Sequence, residues 1–328
     1  MTGAGVLGID IGGTKISVCV ATGSGQVVAA DRIPTRSDDG AVAVLDRLSA
    51  AAAALLAQVR TSGLVHVEGV GIVTPGVVGP AGVALAPNNQ GWESVALAAT
   101  IRERLGLSAV EADNDAKAAT AAEATWGALD GVSDGLLVNL GTGISAGAIV
   151  NGRLVRGAHG AALEIAYQLP SAGPARGMAT GDAPLEQTFS GSGLTAAASA
   201  LLGRPTDAGE VFAAMAAEAE GGPSAAGHDD RLARLGVAAL EVGIRAVVNL
   251  TIALDPEVIA VSGGMLRSGE QILPPLRAAL ATFVPFPPTL VMARFDEQAP
   301  LAGACLLAYR TAGLAVPRAL DLGRVAPR

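Results

Sequence analysis

The sequence predicts an α/β protein made of two similar lobes around a cleft. The first observation is a unit of strand, glycine turn and strand that occurs twice, once near Asp10 and once near Asn139. The second is the alternation of such strands with alanine- and leucine-rich segments at helical spacing. The third is the length of 328 residues, 50% of them apolar, which suffices for two domains with cores of their own.

The first lobe begins with three predicted strands joined by glycine-rich turns, at residues 6–11, 16–21 and 27–33. The apolar spacing and the turn residues then predict, in order, a helix over 38–60, a strand over 65–73, a helix over 94–105 and a strand over 109–112.

The opening pattern returns at strands 136–140, 145–150 and 153–156, with Asn151-Gly152 as a hairpin signal. A helix over 232–254, a strand over 257–262 and a last helix over 301–312 follow. We therefore expect a small lobe of residues 1–112 plus about 299–328, and a large lobe of residues 113–298.

Charge and cysteine content exclude several classes of protein. The 22 Lys and Arg against 30 Asp and Glu give a net charge of −8, which disfavours a primary partner among nucleic acids or anionic membranes. The two cysteines are too few for a disulfide scaffold or a cysteine-rich zinc site. No basic signal region opens the chain and its apolar runs are short, so we expect a cytoplasmic protein with no membrane span.

Two glycine turns are candidate phosphate sites. Adjacent glycines at Gly12-Gly13 permit positive φ and leave no side chain to block an anion, so that backbone N–H groups can point at phosphate oxygens. Thr14 and Lys15 complete this turn, and Gly141-Thr142-Gly143 repeats the signal. Asp10, at the end of a strand, is a candidate Mg²⁺ ligand, directly or through water. The alternative is a plain hairpin turn beside a lysine.

A second candidate site lies at Asp113-Asn114-Asp115, directly before an alanine-rich run. These residues either cap a helix or supply a carboxylate as general base. Lys117 is interpreted as a solvated helix residue rather than a partner of Asp115.

Further polar residues stand among apolar ones or in turns. Glu164 and Glu186 each indicate either a buried, paired carboxylate or a ligand contact. Asn88 and Asn89 follow a proline and indicate either a turn or amides that hydrogen-bond sugar hydroxyls.

Taken together, these motifs resemble the ROK family of sugar kinases and sugar-responsive repressors, within the actin-like ATPase superfamily of ribonuclease H-like fold. The pieces that match, in the family's order, are Gly8-Ile9-Asp10-Ile11-Gly12-Gly13-Thr14-Lys15, Thr74-Pro75-Gly76, Ala86-Pro87-Asn88 with Gly91-Trp92, Asn114-Asp115, Asn139-Leu140-Gly141-Thr142-Gly143, Glu164-Ile165, Leu185-Glu186 and Ser262-Gly263-Gly264.

The resemblance implies an ATP- and Mg²⁺-dependent kinase acting on the 6-hydroxyl of glucose or a similar sugar, as a homodimer whose lobes close on the substrates. Asp115 would be the base. The sugar would be held by Gly76, Asn88, Asn114, Glu164, Tyr167 and Glu186. The nucleotide would be held by Asp10, Gly12, Gly13, Thr14, Lys15, Gly141, Thr142, Gly143, Gly263 and Gly264.

The chain departs from the family at its zinc site. The one histidine and three cysteines of typical members fall at Tyr167, Gly177, Ala179 and Pro184, which offer no thiolate or imidazole, so we expect no zinc. The loop 171–184 is rich in small residues, and we expect substrate, packing or a partner subunit to order it. His66, His159 and His228 are interpreted as surface or packing residues.

Two alternatives remain open beside a glucokinase. An amino-sugar kinase, of kanosamine or mannosamine type, would exploit the acidic residues and the changed Tyr167 side of the pocket. A sugar-sensing repressor is disfavoured because only seven residues precede Gly8, too few for a helix-turn-helix domain, and no basic patch compensates.

Overall fold

The computed structural model describes residues 3–86, 91–170, 176–219 and 230–323. Its strands are β1 (Gly3–Ile11), β2 (Lys15–Thr22), β3 (Val27–Pro34), β4 (Val65–Thr74), β5 (Val77–Val78), β6 (Val83–Ala84), β7 (Val110–Asn114), β8 (Gly135–Leu140), β9 (Ile144–Val150), β10 (Arg153–Leu154), β11 (Val258–Ser262) and β12 (Thr289–Met292). Its α-helices are α1 (Ala41–Ser62), α2 (Leu97–Leu105), α3 (Asp115–Trp126), α4 (Pro184–Thr188), α5 (Gly191–Leu202), α6 (Ala208–Ala219), α7 (Asp230–Leu254), α8 (Gly269–Phe283) and α9 (Ala299–Thr311).

The chain divides into two compact units. The first comprises Met1–Gly131, Leu154–Ala162 and Gln298–Arg328, and the second comprises Val132–Arg153 and Leu163–Glu297. This division differs from the sequence boundary at residue 113, because α3 packs against α9 and against β7 of the first unit.

The first unit contains a five-stranded sheet in the order β3-β2-β1-β4-β7. Its first three strands are antiparallel, while β1, β4 and β7 run parallel. Helices α1 and α2 cover one face, where their buried side chains share a core with Leu7, Ile9 and Ile72 of the sheet. The three-strand meander predicted from the glycine turns is confirmed.

The opposite face of this sheet carries α9 in very close contact. A Cβ placed on Gly71 of β4 would lie 2.0 Å from the carbonyl oxygen of Ala304 in α9, and one on Gly303 would lie 2.3 Å from the backbone of Ala118 in α3. The absence of side chains at these two glycines therefore lets backbone meet backbone where α9 crosses the sheet and α3.

The two cysteines of the chain meet beneath this helix. The Sγ atoms of Cys19 in β2 and Cys305 in α9 are 3.4 Å apart, and both residues are free thiols and fully buried. Their mutual hydrogen bond, together with burial, raises the pKa of the Cys305 thiol. A Cβ on Gly8 of β1 would lie 2.6 Å from the Cys305 sulfur, so Gly8 makes room for the pair.

The second unit repeats the arrangement of the first. Its sheet has the order β10-β9-β8-β11-β12, with β8 antiparallel to β9 and parallel to β11, and β11 parallel to β12. Asn151 and Gly152, between β9 and β10, both have positive φ, as an Asn-Gly hairpin turn requires. The predicted duplication of the opening unit is confirmed.

Helices α1 and α7 are long and apolar enough, by length and composition, to cross a membrane. The short apolar runs of the sequence predict no such segment. The core helix of a soluble protein passes the same test, and each of these helices buries a stripe of side chains within its own unit. The two matches are weak support for a membrane span.

Candidate functional site

The carboxyl ends of the parallel strands in the first unit bring together the predicted catalytic residues. In register, Asp10 of β1 lies beside Val73 of β4, and Thr74 of β4 lies beside Asn114 of β7. Helix α3 begins at Asp115, directly after β7. Ligands of open α/β sheets bind at this edge, so it is the candidate site of the first unit.

Asp10 is an unusual carboxyl group because it is almost fully buried, with 8% of the residue exposed. Burial, followed by the negative charge of Asp115, raises its pKa to about 7, while the positive charges of Lys15 and Arg32 act in the opposite direction. Two carboxylates that repel each other at a strand end fit a divalent cation, which would relieve the repulsion.

The glycine turn after Asp10 is a tight hairpin. The Gly12 N–H donates to the Lys15 carbonyl at 2.9 Å, and the Thr35 hydroxyl donates to the Gly12 carbonyl at 2.6 Å. Gly13 and Thr14 are exposed. The positive φ that sequence analysis allowed for is absent here, since neither Gly12 nor Gly13 adopts it. What distinguishes this turn is an exposed backbone without a Cβ at Gly13.

Asn114 joins three segments of the first unit. Its Oδ1 accepts the Lys117 N–H at 3.0 Å and so caps α3, and its Nδ2 donates to the Gly76 carbonyl at 2.8 Å. Gly76 has a φ of +95°, and a Cβ there would lie 2.5 Å from the Ala84 carbonyl oxygen. The helix cap that sequence analysis kept as an alternative is therefore real, and Asp115 occupies the first turn of the capped helix.

The interpretation of Lys117 as a solvated residue is wrong. Only 1% of Lys117 is exposed, which makes it one of the largest fully buried side chains. Helix α3 lies against α9 and β7, so most of its surface is covered. An alanine-rich helix carries no broad polar stripe, and its burial could not be seen in the local sequence.

The second unit holds its own glycine turn against Glu186 of α4. The Ile144 N–H donates to the Glu186 carboxylate at 3.1 Å, and a Cβ on Gly143 would lie 2.4 Å from the same oxygen. The neighbouring carbonyls of Gly141 and Thr142 accept backbone N–H groups at the start of α5. Neither Gly141 nor Gly143 has positive φ, so glycine is needed at 143 for the approach of the carboxylate.

Glu164 and Tyr167 lie near Glu186. Burial first, and then the charge of Glu164, raise the pKa of Glu186 against the Ile144 hydrogen bond, which lowers it. Burial and the charges of both glutamates raise the pKa of the Tyr167 phenol. The Ile165 N–H donates to the Leu163 carbonyl at 2.8 Å, which turns the backbone around Glu164. The structure thus brings three predicted sugar-binding residues together.

Gly263 and Gly264 follow β11. Gly263 has a φ of +107°, and a Cβ there would lie 2.4 Å from the Leu140 carbonyl oxygen. Its N–H donates to the carboxylate of Asp296 at 3.0 Å. Gly264 begins a short 3₁₀-helix, and Glu297 lies beside it.

Hydrogen bonds hold the segment in which the resemblance implies zinc ligands that this chain lacks. The Asp182 carboxylate accepts from the Arg176 Nε at 3.0 Å, the Thr180 hydroxyl at 2.7 Å and the Gln187 Nε2 at 3.2 Å. Of the four substituted positions, Gly177 and Ala179 lie in this turn, while Pro184 begins α4. The role of Asp182 was not predicted, although it is the one acidic residue in a stretch of mostly small residues.

Four residues that the sequence singles out add nothing to the geometry of the site. Asn88 and His228 lie outside the described residues. His66 and His159 are exposed, in agreement with their interpretation as surface residues. Within residues 3–86, 91–170, 176–219 and 230–323, no three His, Cys, Asp or Glu side chains cluster as a metal cage.

Two units with the same strand order, each with a glycine turn after its first strand, define an actin-like ATPase fold. The sequence pattern of the ROK family matches residues 6–311. The chain therefore belongs to the ROK family.

The chain is similar to sugar kinases over most of its length. A glucokinase of Halalkalibacterium halodurans is 31% identical over 83% of this chain and 83% of its own. An N-acetylmannosamine kinase of Shigella boydii is 30% identical over 92% of this chain and 97% of its own. The solved structure of a ROK family glucokinase from Streptomyces griseus, in complex with glucose and AMPPNP, matches with a TM-score of 0.71 and 28% identity, covering 94% of this chain and 100% of that one.

Proposed function

We propose that the protein is an ATP-dependent sugar kinase that transfers the γ-phosphoryl group to the 6-hydroxyl of glucose or a glucose-like sugar. The observation that carries this proposal is the pair of carboxyl groups at the edge of the first sheet, one on Asp115 at the start of α3 and one on the buried Asp10. The similarity to glucokinases, one of them solved with an ATP analogue, supports it.

Asp115 is the proposed base. Phosphoryl transfer from ATP to an alcohol needs a group that orients the hydroxyl and accepts its proton. Asp115 stands in the first turn of α3, where its carboxylate accepts the Ala116 N–H at 2.7 Å. That bond fixes the orientation of the carboxylate at the start of α3, where the base of the proposed reaction would stand.

Asp10 is the proposed ligand of Mg²⁺, directly or through water. When bound, the ion would neutralise charge on the β- and γ-phosphates. The turn of Gly12, Gly13, Thr14 and Lys15, which is exposed at Gly13 and Thr14, would hold phosphate oxygens from the first unit. For the second unit, the proposed nucleotide contacts are Gly141, Thr142, Gly143, Gly263 and Gly264.

The proposed sugar contacts are hydrogen-bonding groups of fixed position. Glu186 is held through the Ile144 N–H, and Asn114 through the cap of α3. Glu164, Tyr167 and the backbone at Gly76 complete the set within the described residues, and Asn88 is proposed from the family resemblance alone.

An amino sugar is the second candidate substrate, of kanosamine or mannosamine type. The observation that favours it is the raised pKa of Glu186, which burial and the nearby Glu164 produce. An ammonium group on the sugar would offset the repulsion between the two glutamates, and the phenol of Tyr167 adds a hydrogen-bonding group near them. The similarity to an N-acetylmannosamine kinase supports a derivative of an amino sugar, but the acetamido group of N-acetylmannosamine is uncharged and would not offset the repulsion.

A coupled ADP-release assay with ATP and Mg²⁺ tests the proposal over glucose, mannose, fructose, glucosamine, N-acetylmannosamine and kanosamine. We expect turnover with glucose or an amino sugar that Asp115→Ala reduces by about 10²–10⁴-fold, the usual contribution of a general base. The exposed Asp130, just beyond α3, gives the matched control Asp130→Ala, which retains wild-type turnover. Folded protein without turnover on any sugar would contradict the kinase and favour a sugar sensor.

We also propose a cytoplasmic homodimer, as the family resemblance implies. Light scattering across a concentration series, run beside the activity assay, tests the dimer, and a monomer at working concentrations would contradict it.

A further inference from the structure

Arg156 makes a two-pronged ion pair with Asp113. The Nη1 atom donates to Oδ1 of Asp113 at 2.9 Å, and the Nη2 atom donates to Oδ2 at 2.7 Å. Both oxygens are thus engaged by one planar guanidinium, the geometry that makes Arg–carboxylate pairs directional. The bonds to Asp113 raise the pKa of the Arg156 guanidinium, while partial burial acts in the opposite direction.

The same carboxylate continues into the proposed catalytic segment. Oδ1 of Asp113 also accepts the Asn114 N–H at 2.8 Å. The side chain of Asn114 then bonds the Lys117 N–H and the Gly76 carbonyl. Hydrogen bonds therefore link Arg156 through Asp113 to Asn114, whose side chain caps α3. Asp115 lies in the first turn of that helix.

Arg156 is itself fixed by a compact loop. The Ala162 N–H donates to the Arg156 carbonyl at 3.1 Å, so residues 156–162 close on themselves. Gly157 and Gly160 both have positive φ, and a Cβ on Gly157 would lie 3.0 Å from the Cβ of Ala162. The loop belongs to the first unit although the chain before and after it belongs to the second.

The ion pair is poorly placed to serve global stability. The Arg156 side chain is 53% exposed, and exposed pairs add little to the free energy of unfolding. The Asp113 side chain is 15% exposed and precedes Asn114 directly. The effect of the pair is therefore expected at the end of β7 rather than over the whole fold.

We propose that Arg156 is a positioning residue for phosphoryl transfer, because its ion pair with Asp113 fixes the end of β7 and the first turn of α3 that carries Asp115. The catalytic consequence rests on the proposed kinase function. The local ordering of residues 110–120 does not depend on it.

The test compares Arg156→Gln and Arg156→Lys with a matched control. Arg204 makes an ion pair of 2.8 Å with Glu210 in the second unit and is similarly exposed, at 54%, so Arg204→Gln removes an ion pair of an equally exposed arginine far along the chain from Asp115. The readouts are kcat and KM for the best sugar, the melting temperature, and amide hydrogen exchange of the peptide covering 110–120.

We expect Arg156→Gln to lower kcat by about ten- to a hundredfold, the usual cost of a displaced reacting group, with an unchanged melting temperature and faster exchange confined to residues 110–120. Arg156→Lys keeps the charge without the fork and should recover part of kcat. Arg204→Gln should match wild type in every readout. If Arg156 acts through its ion pair with Asp113, adding Asp113→Asn to Arg156→Gln should lower kcat no further.

Two results would overturn the proposal. One is unchanged kcat and unchanged exchange in Arg156→Gln. The other is a lower melting temperature with faster exchange throughout the first unit, which would make Arg156 an ordinary stabilising residue. A wild-type protein inactive on every sugar would refute the kinase function instead, and the exchange comparison would still decide whether Arg156 orders residues 110–120.

Discussion

Replacing Asp10 by asparagine should change how the stability of the first unit depends on pH. The pKa of Asp10 rises from 3.8 to about 7 in the folded protein, mainly because the carboxyl is buried. At about 1.4 kcal/mol for each tenfold change in a dissociation constant, ionising this group in the fold costs at most about 4 kcal/mol. The Asp10→Asn variant is free of that cost because an amide does not ionise.

The direction of the pH effect follows because the folded protein holds the proton of Asp10 more tightly than the unfolded chain does. Between pH 3.8 and about 7 the folded protein keeps the proton on Asp10 while the unfolded chain has lost it. The contribution of Asp10 to stability is therefore fully present below pH 4 and is lost as the pH rises to about 7. The Asp10→Asn variant should gain on wild type over this interval, by no more than about 4 kcal/mol.

The chain offers a probe confined to the first unit. Both of its tryptophans, Trp92 and Trp126, lie there and are buried, so their fluorescence follows the unfolding of this unit alone. We would measure urea unfolding of wild type and Asp10→Asn at pH 5, 6 and 8, without nucleotide or Mg²⁺. A difference in unfolding free energy that is the same at pH 5 and pH 8 would refute the argument.

Three further predictions concern the stability of the first unit and the metal dependence of turnover. Gly71→Ala should destabilise the first unit by about 1–3 kcal/mol in the fluorescence assay, because its Cβ would lie 2.0 Å from the Ala304 carbonyl oxygen. The control is Gly3→Ala, whose Cβ has room, and equal stabilities of the two variants would refute the overlap. Asn114→Ala should cost about 1–3 kcal/mol there by removing two buried hydrogen bonds; Asn114→Asp keeps the cap but turns a second acceptor toward the Gly76 carbonyl, so it should destabilise as well, and wild-type stability in both variants would refute this. EDTA with excess Mg²⁺ should leave turnover intact, since hydrogen bonds to Asp182 hold the substituted segment; a loss restored only by zinc would count against this.

Much of the fold was predictable because glycine turns separate the apolar strands. In each lobe an apolar run, a glycine turn and a second apolar run predict the antiparallel strands, and this pattern is visible in the local sequence. Helices α5 and α6 were not predicted, because alanine-rich segments have weak contrast between their faces. Helix α8 contains Pro274 and Pro275, which sequence rules treat as breakers.

The site was predictable only where motifs are contiguous. The neighbours Asn114 and Asp115 stand together in sequence and in space. The partner of Asp113 is 43 residues away at Arg156, and no local pattern indicates that pair. The role of glycine at Gly143 was misjudged, because the approach of a carboxylate from α4 is a tertiary contact and leaves φ ordinary.

The position of α9 has a consequence for synthesis on the ribosome. The first unit begins with β1, yet its sheet is covered on one face by a helix that ends at Thr311. Nascent chains fold from the N-terminus onward, so β1 and β4 must wait with that face uncovered until the chain has been made as far as Thr311. The second unit, whose residues end at Glu297, is complete earlier. The unit whose synthesis begins first is thus the one completed last. A chain truncated before α9 would leave one face of its sheet uncovered.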